Sequence, residues 1–250
     1  MDIKFNGLKN IIQNIISAKQ NGQKLLAILL DPDKIDLRNL QSIYEKVRQS
    51  PATHIFVGGS TVSNNILDDL IVAVKQNCSL PIILFPGDSS QISAFADGIL
   101  FLNLISGRNP KYLIEQQIDA VPLLQKTNLE VIPTAYILIE SGSETTVGRV
   151  SKTQPMQIEN PKYISQTAQA GEFMGNQLVY LEAGSGATNT VPMEIISEVF
   201  QNIKIPLIVG GGIRSEQQIN DAYDAGADLV VIGTAFENDQ NFFERFKNDT

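Results

Sequence analysis

The 250-residue chain has one cysteine, Cys78, and one histidine, His54. A single thiol excludes an intrachain disulfide. One imidazole excludes a histidine-cluster metal site, and a Ser-His-Asp triad would have to use His54 itself. His54 opens an apolar run and Cys78 sits in a turn before one, so both are assigned structural roles. Positive charge is scarce too: 19 Lys and Arg stand against 27 Asp and Glu, a formal charge of −8. With no basic cluster and with its aromatics dispersed, the chain does not read as a nucleic-acid binder. Phosphate ligands are still allowed, because backbone amides and helix N-termini hold them without net positive charge. No apolar window reaches the roughly 18–20 residues of a membrane span. The N-terminal segment lacks a basic leader and an apolar core, so no signal peptide is expected, and the expected compartment is the cytoplasm.

What is present is apolar material in a regular rhythm. Hydrophobic residues make up 43% of the chain and charged ones 18%, ample for a full core. Eight short apolar runs occupy residues 25–30, 54–59, 81–87, 98–104, 130–140, 177–184, 205–212 and 227–235. Most lack strict alternation, as parallel strands buried on both faces do, and nearly all end in turn-forming residues. Between them lie stretches of helical spacing at 36–49, 62–76, 110–127, 160–174, 192–202, 215–225 and 239–248. Pro110, Pro161 and Pro192 sit near first helical positions and Ser215 is a candidate cap. The pattern predicts one domain, residues 1–250, folded as an α/β (β/α)8 TIM barrel. An extra helix over about 7–20 would plug one end. The 88–97 connection is too short for a full crossover, which predicts a reduced or irregular third helix. Residues 141–157 are polar, without clear periodicity, and form a lid candidate.

The strongest chemical signal is paired. The seventh run ends in Val209-Gly210-Gly211-Gly212-Ile213-Arg214-Ser215 and the eighth in Val231-Ile232-Gly233-Thr234-Ala235. One glycine-rich turn reads as a tight turn, but two on consecutive strands read as the phosphate site that barrels build after strands seven and eight. Strand six ends in Tyr180-Leu181-Glu182-Ala183-Gly184-Ser185-Gly186-Ala187. Glu182 at the mouth is placed to be a general base toward a hydroxyl, or else to cap a helix or pair with Arg214. Asp31, in Asp31-Pro32-Asp33-Lys34, is placed for Mg²⁺, which needs few carboxylates when phosphates complete its shell. The same residues are also ordinary turn chemistry, with Asp33 as a cap. Ser60, in Gly58-Gly59-Ser60-Thr61, reads as a helix cap or as part of a metal or phosphate site.

These motifs, with FLNLISGRNP at 101–110 and in this order along nearly the whole chain, resemble the geranylgeranylglyceryl phosphate synthase family. YLEAGSGA at 180–187 is the most specific of them. The IPTAYILIESGSETTVGR segment at 132–149 resembles the larger branch, which holds many archaeal enzymes and some bacterial ones such as those of Bacteroidetes. The resemblance implies a cytoplasmic, homo-oligomeric prenyltransferase that joins sn-glycerol 1-phosphate to a polyprenyl diphosphate, geranylgeranyl diphosphate being the expected donor, with Mg²⁺ as cofactor. It implies transient membrane contact without a span. It further implies a metal site at Asp31 and Ser60, and a glycerol-phosphate loop of Tyr180, Leu181, Glu182, Ala183, Gly184, Ser185 and Gly186 with Glu182 as base. Gly211, Gly212, Gly233 and Thr234 would bind phosphate. The smaller branch carries a lysine two residues before the metal aspartate, where this chain has Leu29. Backbone amides, or Arg214, Arg149 or Lys152, would then compensate.

Phe85, Phe101 and Leu104 are candidate walls for the prenyl tail. Two rival readings use the same phosphate turns. One is an FMN-binding or other phosphate-substrate barrel enzyme, which flavin absorbance would reveal. The other is a non-catalytic phosphate-binding scaffold, which the presence of both Asp31 and Glu182 disfavours.

Overall fold

The computed structural model describes residues 10–35, 40–59, 64–239 and 242–243. Eight parallel strands close a barrel in chain order: β1 (Leu25–Leu30), β2 (His54–Val57), β3 (Ile82–Leu84), β4 (Gly98–Leu104), β5 (Glu130–Leu138), β6 (Leu178–Glu182), β7 (Leu207–Gly210) and β8 (Leu229–Ile232). The ring closes where Leu25 to Ile28 pair with Leu229 to Ile232. Helices α1 (Ile11–Gln20), α2 (Leu40–Gln49), α3 (Asn64–Asn77), α4 (Gln116–Leu124), α5 (Thr146–Ser151), α6 (Pro161–Phe173), α7 (Met193–Asn202), α8 (Glu216–Asp224) and α9 (Thr234–Asn238) complete the fold. The expected TIM barrel is present.

Alternate residues of each strand serve different layers. Ala27, Phe56, Ile83, Leu100, Ile132, Tyr180, Ile208 and Val231 pack inside the barrel. Leu26, Ile28, Ile55, Ile82, Ile137, Val179, Val209 and Val230 pack outward against the helices. Both faces are apolar, so the two-residue period vanishes from the hydropathy pattern.

The N-terminal helix plugs the end where the strands begin. Ile11, Ile12 and Ile15 of α1 join the inner cluster. No side chain of the preceding residue caps the helix. Instead the Glu130 carboxylate accepts the Ile11 and Ile12 N–H groups at 2.6 and 2.9 Å. An acid on the first turn satisfies donors that a helix leaves open and complements its dipole. Lys19 ties the other end to Asp228 at 2.8 Å. Glu130→Ala should therefore lower stability by about 1–3 kcal/mol, from loss of a charged acceptor to two amides, read as a drop in denaturation midpoint. An unchanged midpoint would mean that the plug is held by its apolar face alone.

The reduced third crossover is borne out, and two other elements differ from expectation. Between β3 and β4, residues 85–97 form no helix; turns closed by Gly87 N–H on Gln91 Oε1 (2.9 Å) and Ser90 N–H on Asp88 Oδ1 (2.7 Å) replace it. Residues 141–157 are not an irregular loop but contain α5, capped by Thr145, which accepts from Gly148 N–H at 3.2 Å. Two helical turns are too short to print a 3.6-residue period. The segment is tied down by Asn109 Nδ2 donating to Ser151 O and by the Ile139–Met156 bridge. The helix expected at 110–127 opens with one π turn, Lys111–Glu115, before α4. Most of the helix expected at 239–248 lies outside the described residues, as do 36–39 and Ser60.

Ser215 caps α8 as expected, accepting from Gln218 N–H at 3.2 Å. His54 is buried against Thr53 at the opposite end from the catalytic mouth, and burial lowers its pKa to about 4, so it is a neutral structural group. Among the described residues, no helix is long and apolar enough to cross a membrane.

Candidate active site at the mouth of the barrel

The carboxyl ends of the strands open on a cavity of about 400 Å³. Its chemistry centres on Glu182, the last residue of β6, only 5% exposed. Glu182 Oε1 accepts the Gly184 N–H at 2.6 Å. Burial pushes its pKa up to about 7, against the opposing pull of the Gly184 amide and the Tyr180 hydroxyl. Desolvation outweighs the two hydrogen bonds, and among the described residues no cation offsets it. Below the carboxylate lies an aromatic floor. Phe85 stacks on Tyr180 at 5.2 Å between centroids, and Tyr136 meets Tyr180 edge-on at 5.4 Å. Burial and the Glu182 charge raise both tyrosines well above their usual value, so they remain neutral donors.

Glycines bring the turns after β6 and β7 against this carboxylate. Gly211 has φ +85°, and a Cβ there would lie 2.5 Å from both Glu182 Oε1 and Gly184 N. The turn after β7 therefore touches the turn after β6 only because that side chain is missing. Gly184, Ser185, Gly186, Gly211, Gly212, Gly233 and Thr234 all line the cavity, with Tyr180 and Glu182. Gly233 precedes the first residue of α9, Thr234. Leu181 and Ala183 are a correction: strand alternation turns both into the outer core, and the Ala183 N–H is bonded to Gly210 O.

Asp31 lies on the cavity wall, and its reading as turn chemistry holds. Its Oδ1 accepts the Asp33 N–H at 3.2 Å, which closes a turn, while Lys34 Nζ lies 3.2 Å from Oδ2. Asp33 itself is exposed. A Cβ at Gly59 would sit 2.7 Å from Asp31 Oδ1, so glycine keeps that face of the carboxylate open. Among the described residues no group of three or more His, Cys, Asp or Glu gathers to cage a metal. One open carboxylate fits a hard cation whose remaining ligands come from water and substrate phosphate, and does not fit a transition-metal site.

Of the side chains expected to substitute for the missing lysine, Arg214 lines the cavity and the other two do not. Arg214 donates to the carbonyls of Ala187, Thr188 and Gly212, so its guanidinium braces the loops after β6 and β7. It does not pair with Glu182. Arg149 and Lys152 are exposed and do not line the cavity. Leu29 packs against Gly233, its side chain 3.4 Å from where a Cβ would be.

Phe85, Phe101 and Leu104 line the cavity as expected, joined by Ile92, Ile99 and Ala120. Ile99 belongs to the outer layer, so the space runs from the barrel axis past β4 to α4, where no third crossover helix fills it. The sequence reading gave no role to Lys34 or Gln117, which also line the wall. Lys34 lay inside a quoted motif, where a turn reading hid it.

A closed parallel barrel whose last two strands end in paired glycine turns around a buried carboxylate, with an apolar extension, defines an enzyme for a phosphate-bearing substrate with an apolar part. The comparisons agree and are more specific: the PcrB family matches residues 19–249, and the chain belongs to that family. It is 63% identical to the geranylgeranylglyceryl phosphate synthase of Flavobacterium johnsoniae, over 95% of this chain and 98% of that protein. It is 42% identical to that of Thermococcus gammatolerans, over 90% of this chain and 89% of that one. A crystal structure of the Thermoplasma acidophilum synthase in complex with sn-glycerol-1-phosphate superposes with a TM-score of 0.88, at 34% identity and 94% coverage of both chains.

Proposed function

We propose that this chain transfers a geranylgeranyl group from its diphosphate to the C3 hydroxyl of sn-glycerol 1-phosphate. The carrying observation is the position of Glu182: buried, uncompensated by a cation, and set between the phosphate turns and the apolar extension. The amides around Gly211, Gly212, Gly233 and Thr234 hold the acceptor phosphate, which fixes the hydroxyl near Glu182 and turns a two-substrate encounter into a positioned one. The apolar extension past β4 takes the polyprenyl tail. The allylic carbon–oxygen bond to diphosphate breaks as the ether bond forms, and Glu182 takes the hydroxyl proton. Tyr180 and Gly184 steady the carboxylate in its ionised form. Asp31, with Ser60, would hold Mg²⁺, which when bound neutralises the leaving diphosphate.

The test is product analysis with sn-glycerol 1-phosphate, Mg²⁺ and a ladder of prenyl diphosphates. An ether-linked prenylglyceryl phosphate, lost on adding EDTA, is expected. Absence of product from every donor, with the acceptor still binding, overturns the reading. We further propose a homo-oligomer with transient membrane contact. Phe173 and Met174 at the end of α6, 83% and 64% exposed, support the first; the apolar tail of the product supports the second.

A further inference from the structure

We propose that Gln117 is a specificity-determining residue for the donor's tail: its carboxamide pairs two backbone carbonyls in the wall of the apolar extension, so that hydrocarbon can pass them without stranding an acceptor. The inference rests on the reaction proposed above and names the group that lets its longer donors bind.

The geometry starts from the edge of β4. Strand β3 pairs with β4 only as far as Leu84 opposite Ile99, so β4 beyond Ile99 has no strand beside it on that edge. Residues 85–97 supply no helix to cover it. On the facing wall the chain enters α4 through the π turn Lys111–Glu115, a break in the α-helical ladder of hydrogen bonds. Gln117 serves both walls. Its Nε2 donates to Leu102 O of β4 and, at 3.3 Å, to Tyr112 O of the π turn. A reversed carboxamide would set its oxygen against two carbonyls, so these partners fix which end faces them.

The position is costly, and the cost points to its use. Both N–H groups of the carboxamide are spent on carbonyls, while Gln117 Oε1 is buried with no partner. A buried acceptor left unpaired costs more than an apolar side chain in the same place. Leu102, Tyr112 and Gln117 all line the cavity. Strand β4 rises toward the mouth and α4 descends from it, so these three stand above Ile99 and Ala120, which line the deeper end. A short tail ends near the mouth. A long tail runs past Gln117 to reach Ile99 and Ala120. Without the carboxamide, water can serve the two carbonyls while the extension is empty, but hydrocarbon displaces that water and offers no donor. The penalty then falls on binding and grows with tail length.

The test is equilibrium binding to the full chain by calorimetry, with Mg²⁺ and no acceptor, of inorganic pyrophosphate and of dimethylallyl, geranyl, farnesyl and geranylgeranyl diphosphates. Gln117→Met keeps the bulk of the side chain and removes its donors. It should bind geranylgeranyl diphosphate about ten- to a hundredfold more weakly, the equivalent of one buried acceptor left unpaired. Pyrophosphate and dimethylallyl diphosphate should bind within about threefold of wild type, the span of ordinary surface effects. Gln117→Ala leaves room for a water between the two carbonyls. Its loss should also grow with tail length but stay smaller than that of Gln117→Met. An equal loss for every donor, or no loss for any, overturns the inference. So does a larger loss in Gln117→Ala, which would assign the residue to packing. Wild-type affinity that does not rise with tail length overturns the inference together with the tail site. Length-dependent losses in a protein that makes no ether product would uphold the inference and count against the reaction alone.

Discussion

Glu182→Gln should lower kcat by about 10²- to 10⁴-fold, the usual loss when a positioned general base is removed, while affinity for sn-glycerol 1-phosphate stays within a few fold. The amide keeps the shape and an oxygen for the Gly184 N–H but takes no proton. The wild-type rate should climb with pH and level off above about 7, where the carboxylate is ionised. The variant's residual rate should be flat through that range. A second readout separates chemistry from structure. Folding raises the Glu182 pKa from 4.5 to about 7, so between these values the native state keeps a proton that the unfolded chain has lost. Stability therefore falls as pH rises through this window and is lower above 7 by on the order of 3 kcal/mol. The variant lacks that cost. It should melt several degrees above wild type at pH 8, at about 2–4 °C per kcal/mol for a chain this size. The gap should close below pH 4.5. Near-wild-type turnover by the variant would remove Glu182 as the base, and a melting gap independent of pH would contradict its raised pKa.

Gly211→Ala should abolish acceptor binding, with Kd rising at least about 100-fold, beyond the roughly 2.7 kcal/mol of one good charged contact. Two costs combine. At φ +85° a Cβ carries about 1–2 kcal/mol of backbone strain. It also meets Glu182 Oε1 and Gly184 N at 2.5 Å and Ala183 N at 2.8 Å. Two of those three are backbone atoms and cannot swing away, so the β6 and β7 turns must separate and the amides lose their common focus. Gly22→Ala is the control. It has φ +68° and nothing within 4 Å of a Cβ, in a turn beyond α1. It should cost stability alone and leave acceptor affinity intact. Calorimetric titration of both variants decides the matter: equal affinities would mean that Gly211 serves the fold and not the site.

The barrel was legible because parallel strands bury both faces, and eight such runs with helical spacers fit one architecture. The paired glycine turns and Glu182 were legible because chemistry restricts those positions to few residue types. The failures are local. Leu181 and Ala183 lie within a contiguous motif, but strand alternation sends them to the opposite face. Arg214 reads as an available cation in sequence, whereas two of its three carbonyl partners, Ala187 and Thr188, come from a loop about 26 residues away. Helix α5 is too short to show a period, and the π turn before α4 leaves no mark in a hydropathy pattern. Lys34 pairs with Asp31 three residues away, a spacing that turns and helices share with many surface pairs.

The missing crossover helix after β3 has a consequence for how the reaction is compartmentalised. In a barrel with every wall covered, a substrate is confined to the axial well, and its size is bounded by the loops above. Here β4 acts as a partition with the polar chemistry on one side and, on the other, a gallery open along α4. Cargo stored in that gallery need not share dielectric with the ions at the mouth. Under the proposed reaction, the tail would stay in hydrocarbon-like surroundings while the diphosphate meets charge and water. Lengthening the tail then extends the gallery's contents outward without moving the reacting carbon. Selectivity for tail length would then be a property of the wall between β4 and α4, separable by mutation from the machinery proposed to make the ether bond.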